Sequence, residues 1–199
     1  MRKKKLERID PIYETGVTIE ASFYPKLFPI VIEDGRTVQK DSRIGIVGRN
    51  GGGKSLFIRR FIESRKWGEK LLYLPQEIDV DNSAKPINDV RAMKSGDKGL
   101  LMSLIVRLGS DPKTLLQTSL PSPGETRKLL LAIGLLKKPA LIVMDEPTNH
   151  LDIASIEALE KALKAYNGAL LLVSHDRRFL SASTNEIWRF ETDADKIAV

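Results

Sequence analysis

Short apolar runs alternate with amphipathic stretches along most of the chain. Continuous apolar runs bounded by polar residues or glycine are typical of strands buried on both faces of a parallel sheet. Apolar positions that recur every three or four residues predict helices between them. The pattern therefore predicts an α/β fold with a mainly parallel sheet. The strand candidates are Val17–Phe23, Phe28–Ile32, Arg43–Val47, Lys70–Leu74, Ala140–Met144, Ala169–Val173 and Glu186–Phe190, and the helix candidates are Ser55–Ser64, Leu100–Leu108, Gly124–Lys138 and Ile153–Tyr166.

Composition narrows the class of protein. The 199 residues are 42% hydrophobic and 29% charged, which indicates one folded domain with room for a small appended lobe. The absence of cysteine excludes disulfides, thiolate metal sites and a cysteine nucleophile. Two histidines argue against a multi-histidine metal site. Because no apolar run approaches the roughly 20 residues of a membrane span, we expect a soluble, cytoplasmic protein without a transmembrane domain.

The net charge of +6 is concentrated at the start of the chain. Residues 2–8 hold five basic side chains against Glu7. One interpretation is a solvated tail or the end of a helix, and the other is a contact with a polyanion such as RNA or lipid headgroups.

A glycine cluster lies between the strand candidate Arg43–Val47 and the helix candidate Ser55–Ser64. It fits the pattern G-x-x-x-x-G-K-[ST], whose glycines let the backbone wrap around phosphates and point its N–H groups inward. Lys54 is placed to reach the β- and γ-phosphates, and the Ser55 hydroxyl to bind Mg²⁺. The predicted nucleotide-binding residues here are Gly48, Arg49, Asn50, Gly51, Gly52, Gly53, Lys54, Ser55 and Leu56.

Two carboxylates follow the apolar run that ends at Met144. A residue at this point lies at the carboxyl edge of a parallel sheet, where ligands bind in open α/β folds. Asp145 is predicted to hold Mg²⁺ through a water, and Glu146 to polarise the attacking water. The alternative is an acidic pair that caps a loop, and the neighbouring phosphate loop argues against it.

Together these motifs resemble the ATP-binding cassette (ABC) ATPase domain over nearly the whole chain. Further landmarks occur in the family's order. Tyr24, 24 residues before Gly48, matches the aromatic that stacks on adenine, with Phe23 as the competitor. Gln76 matches the Q-loop, and Ser122, Gly124 and Glu125 lie within the signature motif. Leu151-Asp152 matches the D-loop, and His175 matches the switch histidine.

The resemblance implies an ABC-type P-loop fold with an antiparallel β part and a short inserted helical subdomain. The implied division is a basic, linker-like segment at 1–15, a nucleotide-binding core at 16–78 and 129–199, and a helical signature subdomain at 79–128. It also implies ATP and Mg²⁺ as ligands and a second ABC domain whose signature completes the site. The implied catalytic residues are Glu146, His175, Lys54 and Gln76, the metal-binding residues are Ser55, Gln76 and Asp145, and Ser122, Gly124 and Glu125 act on the partner's ATP.

A narrower resemblance is to the ABC-F group, soluble proteins that usually carry two ABC domains and often act on the ribosome. It rests on residues 146–152, which read EPTNHLD, and on residues 172–180, which read LVSHDRRFL. The basic start is similar to the end of an ABC-F linker, which predicts that this is the second domain of a two-domain protein, with ribosomal RNA as a partner of the lysines. A natural homodimer is the alternative to a second domain in the same chain.

Three departures from the family bear on affinity. The signature reads PSPGE where LSGGE is usual, Leu56 replaces a small hydroxyl residue, and Gly52 replaces a common serine. Two further readings of function stay open at this stage: the ATP-binding subunit of a membrane transporter, and an ATP-binding switch with little hydrolysis of its own.

Overall fold

The computed structural model describes residues 18–22, 24, 26–78, 86, 90, 93–118 and 121–190. The predicted basic segment, Phe23 and part of the predicted helical lobe lie outside these residues. In chain order the elements are β1 (Ile30–Val31), β2 (Thr37–Val38), β3 (Arg43–Gly48), α1 (Lys54–Glu63), a 3₁₀ turn (Gly68–Lys70), β4 (Leu71–Leu74), α2 (Ser95–Arg107), α3 (Pro112–Gln117), α4 (Pro123–Leu136), β5 (Leu141–Asp145), α5 (Ile153–Ala165), β6 (Ala169–Val173), α6 (Arg177–Ser183) and β7 (Glu186–Phe190).

Five strands form one sheet in the order β4-β5-β6-β3-β7, and each neighbouring pair is parallel. The register joins Ile44 of β3 to Leu171 of β6 and Val143 of β5 to the same residue. The carboxyl ends of β3, β5 and β6 therefore meet at one edge of the sheet. That edge carries the glycine cluster, the two carboxylates and the switch histidine of the sequence prediction.

Alternate residues of the buried strands face two hydrophobic layers, as the period of two in a strand requires. Ile142 and Met144 of β5 pack in the layer that contains α4 and α5, whereas Leu141 and Val143 pack in the layer that contains α1. Every residue of β5 and β6 is buried. This explains why both strands are continuous apolar runs in the sequence.

The two-stranded antiparallel hairpin β1–β2 packs on the α1 side through Ile30 and Val38. Arg36, beside β2, fixes it there. Its guanidinium carbon lies 4.6 Å from the ring centre of Trp188 and 4.7 Å from that of Phe190, both on β7. Asp34 accepts hydrogen bonds from the same guanidinium. The hairpin is thus attached to β7 by a cation held against aromatic rings.

Most predicted elements are confirmed, with shifted ends, and one is wrong in part. Residues 18–22 of the predicted first strand form only an isolated parallel bridge, Ile19 to Tyr166. Ile19 and Ser22 instead donate their N–H groups to the carbonyls of Ala165 and Lys138, at the amino-terminal ends of the sheet, and the Ala21 N–H donates to the Asn167 side chain. Scattered acceptors of this kind satisfy an extended segment without a strand partner.

The helices show two further differences from the prediction. Helix α2 begins at Ser95 rather than near Leu100, because polar and glycine residues make up its first turns and hide the apolar period. The short helices α3 and α6 were not predicted. Each begins at an aspartate cap, Asp111 or Asp176, whose side chain accepts hydrogen bonds from the first turn.

Candidate functional site

The glycine cluster forms a turn between β3 and α1. Gly51 and Gly53 have φ angles of +78° and +86°, and a Cβ built at either would meet no atom within 4 Å. This left-handed backbone favours glycine and lets successive N–H groups point into one concavity, where a phosphate can be bound. Helix α1 begins directly behind it and adds its positive dipole.

The side chain of Lys54 lies inside this loop. It is 7% exposed, and its Nζ donates hydrogen bonds to the carbonyls of Gly48, at 2.7 Å, and Arg49, at 2.9 Å. These bonds hold the ammonium group at the centre of the loop, where phosphate oxygens would meet it. Arg49, Asn50 and Leu56 are exposed beside it.

Ser55 and Asp145 are brought together, as predicted for a magnesium site. Asp145 ends β5, is 4% exposed and accepts a hydrogen bond from the Ser55 side chain. Burial raises the pKa of Asp145 above its ordinary value, and the bond to Ser55 and the charges of Lys54 and Arg127 act in the opposite direction. A hydroxyl beside a carboxylate fits Mg²⁺, which prefers oxygen ligands and takes the rest from phosphates and water.

Glu146 and His175 are also in contact. The Glu146 Oε2 accepts from the His175 backbone N–H at 3.3 Å, and its Oε1 lies 3.5 Å from His175 Nε2. Oε1 is buried and has no hydrogen-bond partner among the described residues. Glu146 adopts a φ of +48°, which is uncommon for a residue with a side chain and points to a strained turn.

Gln76 follows β4 and is exposed, and its carbonyl accepts a hydrogen bond of 2.7 Å from Arg127 Nη2. Sequence reasoning did not single out Arg127, although its spacing gave a signal. Arg127 lies three residues after Gly124 and four before Leu131, so all three occupy one face of α4. A cation on a buried helix face needs acceptors, and here they come from the site.

The signature residues lie at the first turn of α4. The Ser122 Oγ accepts from the Glu125 N–H at 3.2 Å and caps the helix, and Pro123 occupies the first helical position, where its missing N–H costs nothing. A Cβ on Gly124 would lie 2.7 Å from the carbonyl oxygen of His150. The signature turn therefore packs directly against the D-loop of the same chain.

Tyr24 does not join the other predicted residues. The Nζ of Lys70, which precedes β4, lies 5.2 Å from the centre of its ring. Residues 18–22 just before it bond to carbonyls at the amino-terminal ends of β5 and β6. The phosphate loop is at the opposite, carboxyl edge, about 15 Å away for strands of this length. The role of Tyr24 in stacking on adenine stays a prediction.

A cleft of about 1120 Å³ lies beside the phosphate loop, between β3, α6 and β7. Its apolar wall includes Leu180 and Ile187. Three arginines line it, and the cleft reaches His175. The arginines are Arg49, Arg177 and Arg189. Because their charges lie beside the loop, the local potential favours the approach of an anionic ligand.

The phosphate loop, the carboxylate pair and the switch histidine are thus assembled at one edge of the sheet. The ABC transporter family matches residues 35–149, more than half of the chain. The chain belongs to the ABC transporter family of ATPases.

Named relatives refine this assignment. The chain is 30% identical to ATP-binding protein Uup of Haemophilus influenzae, over 96% of this chain and 34% of the relative. It is 33% identical to ribosome protection protein VmlR of Bacillus subtilis, over 75% of this chain and 29% of the relative. Relatives of these kinds confirm the resemblance to the ABC-F group. The chain spans about a third of their length, so its position as a second domain stays a prediction.

Solved structures confirm the predicted fold class. A complex of archaeal ribosome recycling factor aABCE1 with ribosomal stalk protein aP1 matches with a TM-score of 0.57 at 22% identity, over 77% of this chain and 32% of that one. The ATP binding subunit of an ABC transporter matches with a TM-score of 0.57 at 19% identity, over 78% of this chain and 77% of that one. In the part of the chain that the structure describes, no helix is both long and apolar enough to span a membrane.

Proposed function

We propose that this chain binds and hydrolyses ATP at a site completed by a second ABC domain, and that it acts as an ATP-driven switch on the ribosome. The contact between Glu146 and His175, next to the Asp145–Ser55 pair, carries the proposal. It joins a carboxylate that can orient water to a side chain that can contact the γ-phosphate.

We assign each residue a role that its position supports. The backbone at 48–53 and the ammonium group of Lys54 bind the phosphates, with the α1 dipole behind them. Ser55, Gln76 and, through water, Asp145 would hold Mg²⁺, which neutralises charge on the β- and γ-phosphates when bound. Glu146 orients the attacking water through its Oε1, which has no hydrogen-bond partner among the described residues. The strained turn supports this role because it directs the carboxylate into the site.

The proposed second domain supplies a signature turn across this ATP. The Ser122 cap supports the reciprocal role of the chain's own signature, since the proline-bearing sequence still forms a regular first turn of α4. Binding of ATP would close the two domains and hydrolysis would open them.

The ribosome role is supported by two observations. VmlR, a relative at 33% identity, is named a ribosome protection protein. Residues 2–8 carry five basic side chains against Glu7, a local excess of positive charge that favours a contact with RNA phosphates. The transporter-subunit alternative has no comparable support from the chain's own residues.

Glu146→Gln tests the catalytic assignment. The amide keeps the size of the side chain but cannot act as a base, so we expect turnover to fall by about 10²–10⁴-fold while ATP binding stays within a few-fold of wild type. The control is Glu157→Gln, an exposed glutamate on α5 paired with Arg178. Unchanged turnover in Glu146→Gln would sink the assignment of the general base.

Sedimentation equilibrium with and without Mg²⁺-ATP, on wild type and Glu146→Gln, tests the shared site. A dimer that forms only with ATP would show that two copies complete the site. A chain that binds ATP and remains monomeric would mean that its partner is a different ABC domain. A chain that does not bind ATP would refute the proposal. Co-sedimentation of the Glu146→Gln protein with ribosomes in ATP then tests the ribosome role, and no ATP-dependent pelleting is the contrary result.

A further inference from the structure

Arg127 bridges two loops of the candidate site. Its Nη2 donates to the Gln76 carbonyl at 2.7 Å, and its Nη1 donates to the Glu146 carbonyl at 3.4 Å. The side chain extends from α4. Among the described residues, no other side chain of this helix hydrogen-bonds to either loop. One guanidinium therefore joins a helix to the ends of two adjacent strands, β4 and β5.

Burying this guanidinium in the core is energetically unfavourable. Arg127 is 4% exposed, and burial lowers its pKa, with the Asp145 charge acting in the opposite direction. Removing a cation from water is unfavourable, and an apolar side chain of similar volume is often at least as stabilising. The chain retains instead a planar fork whose donors have fixed relative directions.

The fork acts where backbone orientation decides chemistry. The Glu146 N–H donates to the Val173 carbonyl at 2.8 Å, and the Glu146 carbonyl accepts from Asn149 N–H at 3.3 Å as well as from Arg127. Both sides of a strained residue, with a φ of +48°, are thus fixed. The direction of the Glu146 carboxylate toward His175 depends on this turn keeping its shape.

The same helix begins at the signature turn. Ser122 caps α4, and Gly124 packs against the His150 carbonyl, one turn before Arg127. A displacement of α4 would therefore move the signature turn and the Arg127 fork together. The fork connects the surface offered to the partner's ATP with the loops that act on the chain's own ATP.

We propose that Arg127 is a positioning residue that ties the Gln76 and Glu146 backbones to the signature helix, so that the water-activating geometry forms only when α4 is seated. The effect on turnover rests on the proposed ATPase function, whereas the effect on the two loops does not.

The test compares Arg127→Lys and Arg127→Gln with Arg43→Lys. Lysine keeps the charge and loses the fork, and glutamine keeps one donor group and loses the charge. Arg43 is the control because it is a partly buried guanidinium that likewise donates to backbone carbonyls, those of Ser183, Tyr166 and Leu163, at 2.7–3.1 Å. It lies at the amino-terminal edge of the sheet, away from the site.

Two measurements separate positioning from folding. Amide hydrogen exchange of the chain without nucleotide should rise at least tenfold at 76–78 and at the amides of Glu146, Thr148 and Asn149 in both Arg127 variants, and remain unchanged at 44–47. In the assembly that hydrolyses ATP, kcat should fall at least tenfold while the Kd for ATP stays within threefold. Arg43→Lys should lower thermal stability and leave kcat within twofold.

The contrary results are equally defined. Unchanged exchange at both loops would overturn the proposal, as would a kcat within twofold of wild type or an equal loss of kcat in Arg43→Lys. If both Arg127 variants fail to fold while Arg43→Lys folds, Arg127 is a folding residue and the proposal is wrong. If the wild type hydrolyses no ATP but the exchange result holds, the proposed function fails and the loop coupling stands.

Discussion

At the scale of single residues, the buried carboxylate of Asp145 lowers the free energy of unfolding at a position that the proposed function needs. Its carboxylate is buried and its pKa is raised, so the folded protein disfavours its charge in the absence of a metal. As pH rises above the ordinary value of 3.8, the unfolded chain loses this proton first, and the free energy of unfolding falls. The loss is complete once pH exceeds the raised pKa of the folded state.

The variant Asp145→Asn removes this buried charge. We expect the free energy of unfolding at pH 7, without Mg²⁺, to rise by about 1 kcal/mol, and the gain to shrink as pH falls toward 3.8. Mg²⁺-ATP should stabilise the variant less than it stabilises the wild type. Urea denaturation at pH 7 and pH 5 in a chelator measures the difference. Asp41→Asn, in an exposed turn, is the control, and equal or lower stability of Asp145→Asn would contradict the expectation.

The sequence predicted the residues whose chemistry is local. Lys54, Asp145 and Glu146 are identified by their neighbours in the chain, because a glycine loop or the end of an apolar strand fixes where each one lies. Arg127 was missed because its acceptors are the carbonyls of residues far away in the chain, and carbonyls leave no mark on composition.

At the scale of elements, α4 and the D-loop are in contact without a side chain between them. Gly124 lets the helix approach the His150 carbonyl, and any Cβ there would lie closer than side chains tolerate. The central strands were predicted well because they are buried on both faces. Helices α3 and α6 were not, because each has about two turns, too few to establish a period.

Gly124→Ala tests this contact. A methyl group at 2.7 Å from a backbone oxygen must displace the D-loop or the helix, so we expect a loss of about 1–3 kcal/mol in the free energy of unfolding. Gly99→Ala is the matched control in α2, where the added Cβ meets nothing within 4 Å. It should raise stability by about 0.5–1 kcal/mol. Chemical denaturation of both variants measures this, and two variants of equal stability would rule out the tight contact.

At the scale of the whole molecule, the distribution of positive charge favours binding to anions. The net charge is +6, the start of the chain is basic, and three arginines line the cleft beside the phosphate loop. The sequence predicted the basic start directly, whereas the cleft required the fold, because its arginines come from the phosphate loop, α6 and β7. Both features favour association with polyanions, and the proposed RNA contact belongs to the first.

Replacing Lys3, Lys4 and Lys5 by glutamine tests that contact. Each lysine that neutralises a phosphate contributes about 0.7–0.9 to the slope of log affinity against log salt. The slope of log affinity against log salt for ribosome binding should therefore become shallower by about 2. The contact should show no preference for RNA sequence. The control replaces three exposed lysines of the nucleotide-binding region, Lys26, Lys40 and Lys66. It makes the same change in net charge. An equal effect in both triples would show a contribution of overall charge alone.

The attachment of Arg36 to β7 has a practical consequence for observing the molecule. Trp188 lies against that cation, donates its Nε1–H to Glu186 and is two residues from Phe190, whose carbonyl lies against Gly48 of the phosphate loop. Trp67 is the second of the two tryptophans. Replacing it by phenylalanine leaves a single indole, so the fluorescence of the unlabelled protein reports from the junction of hairpin, last strand and nucleotide loop.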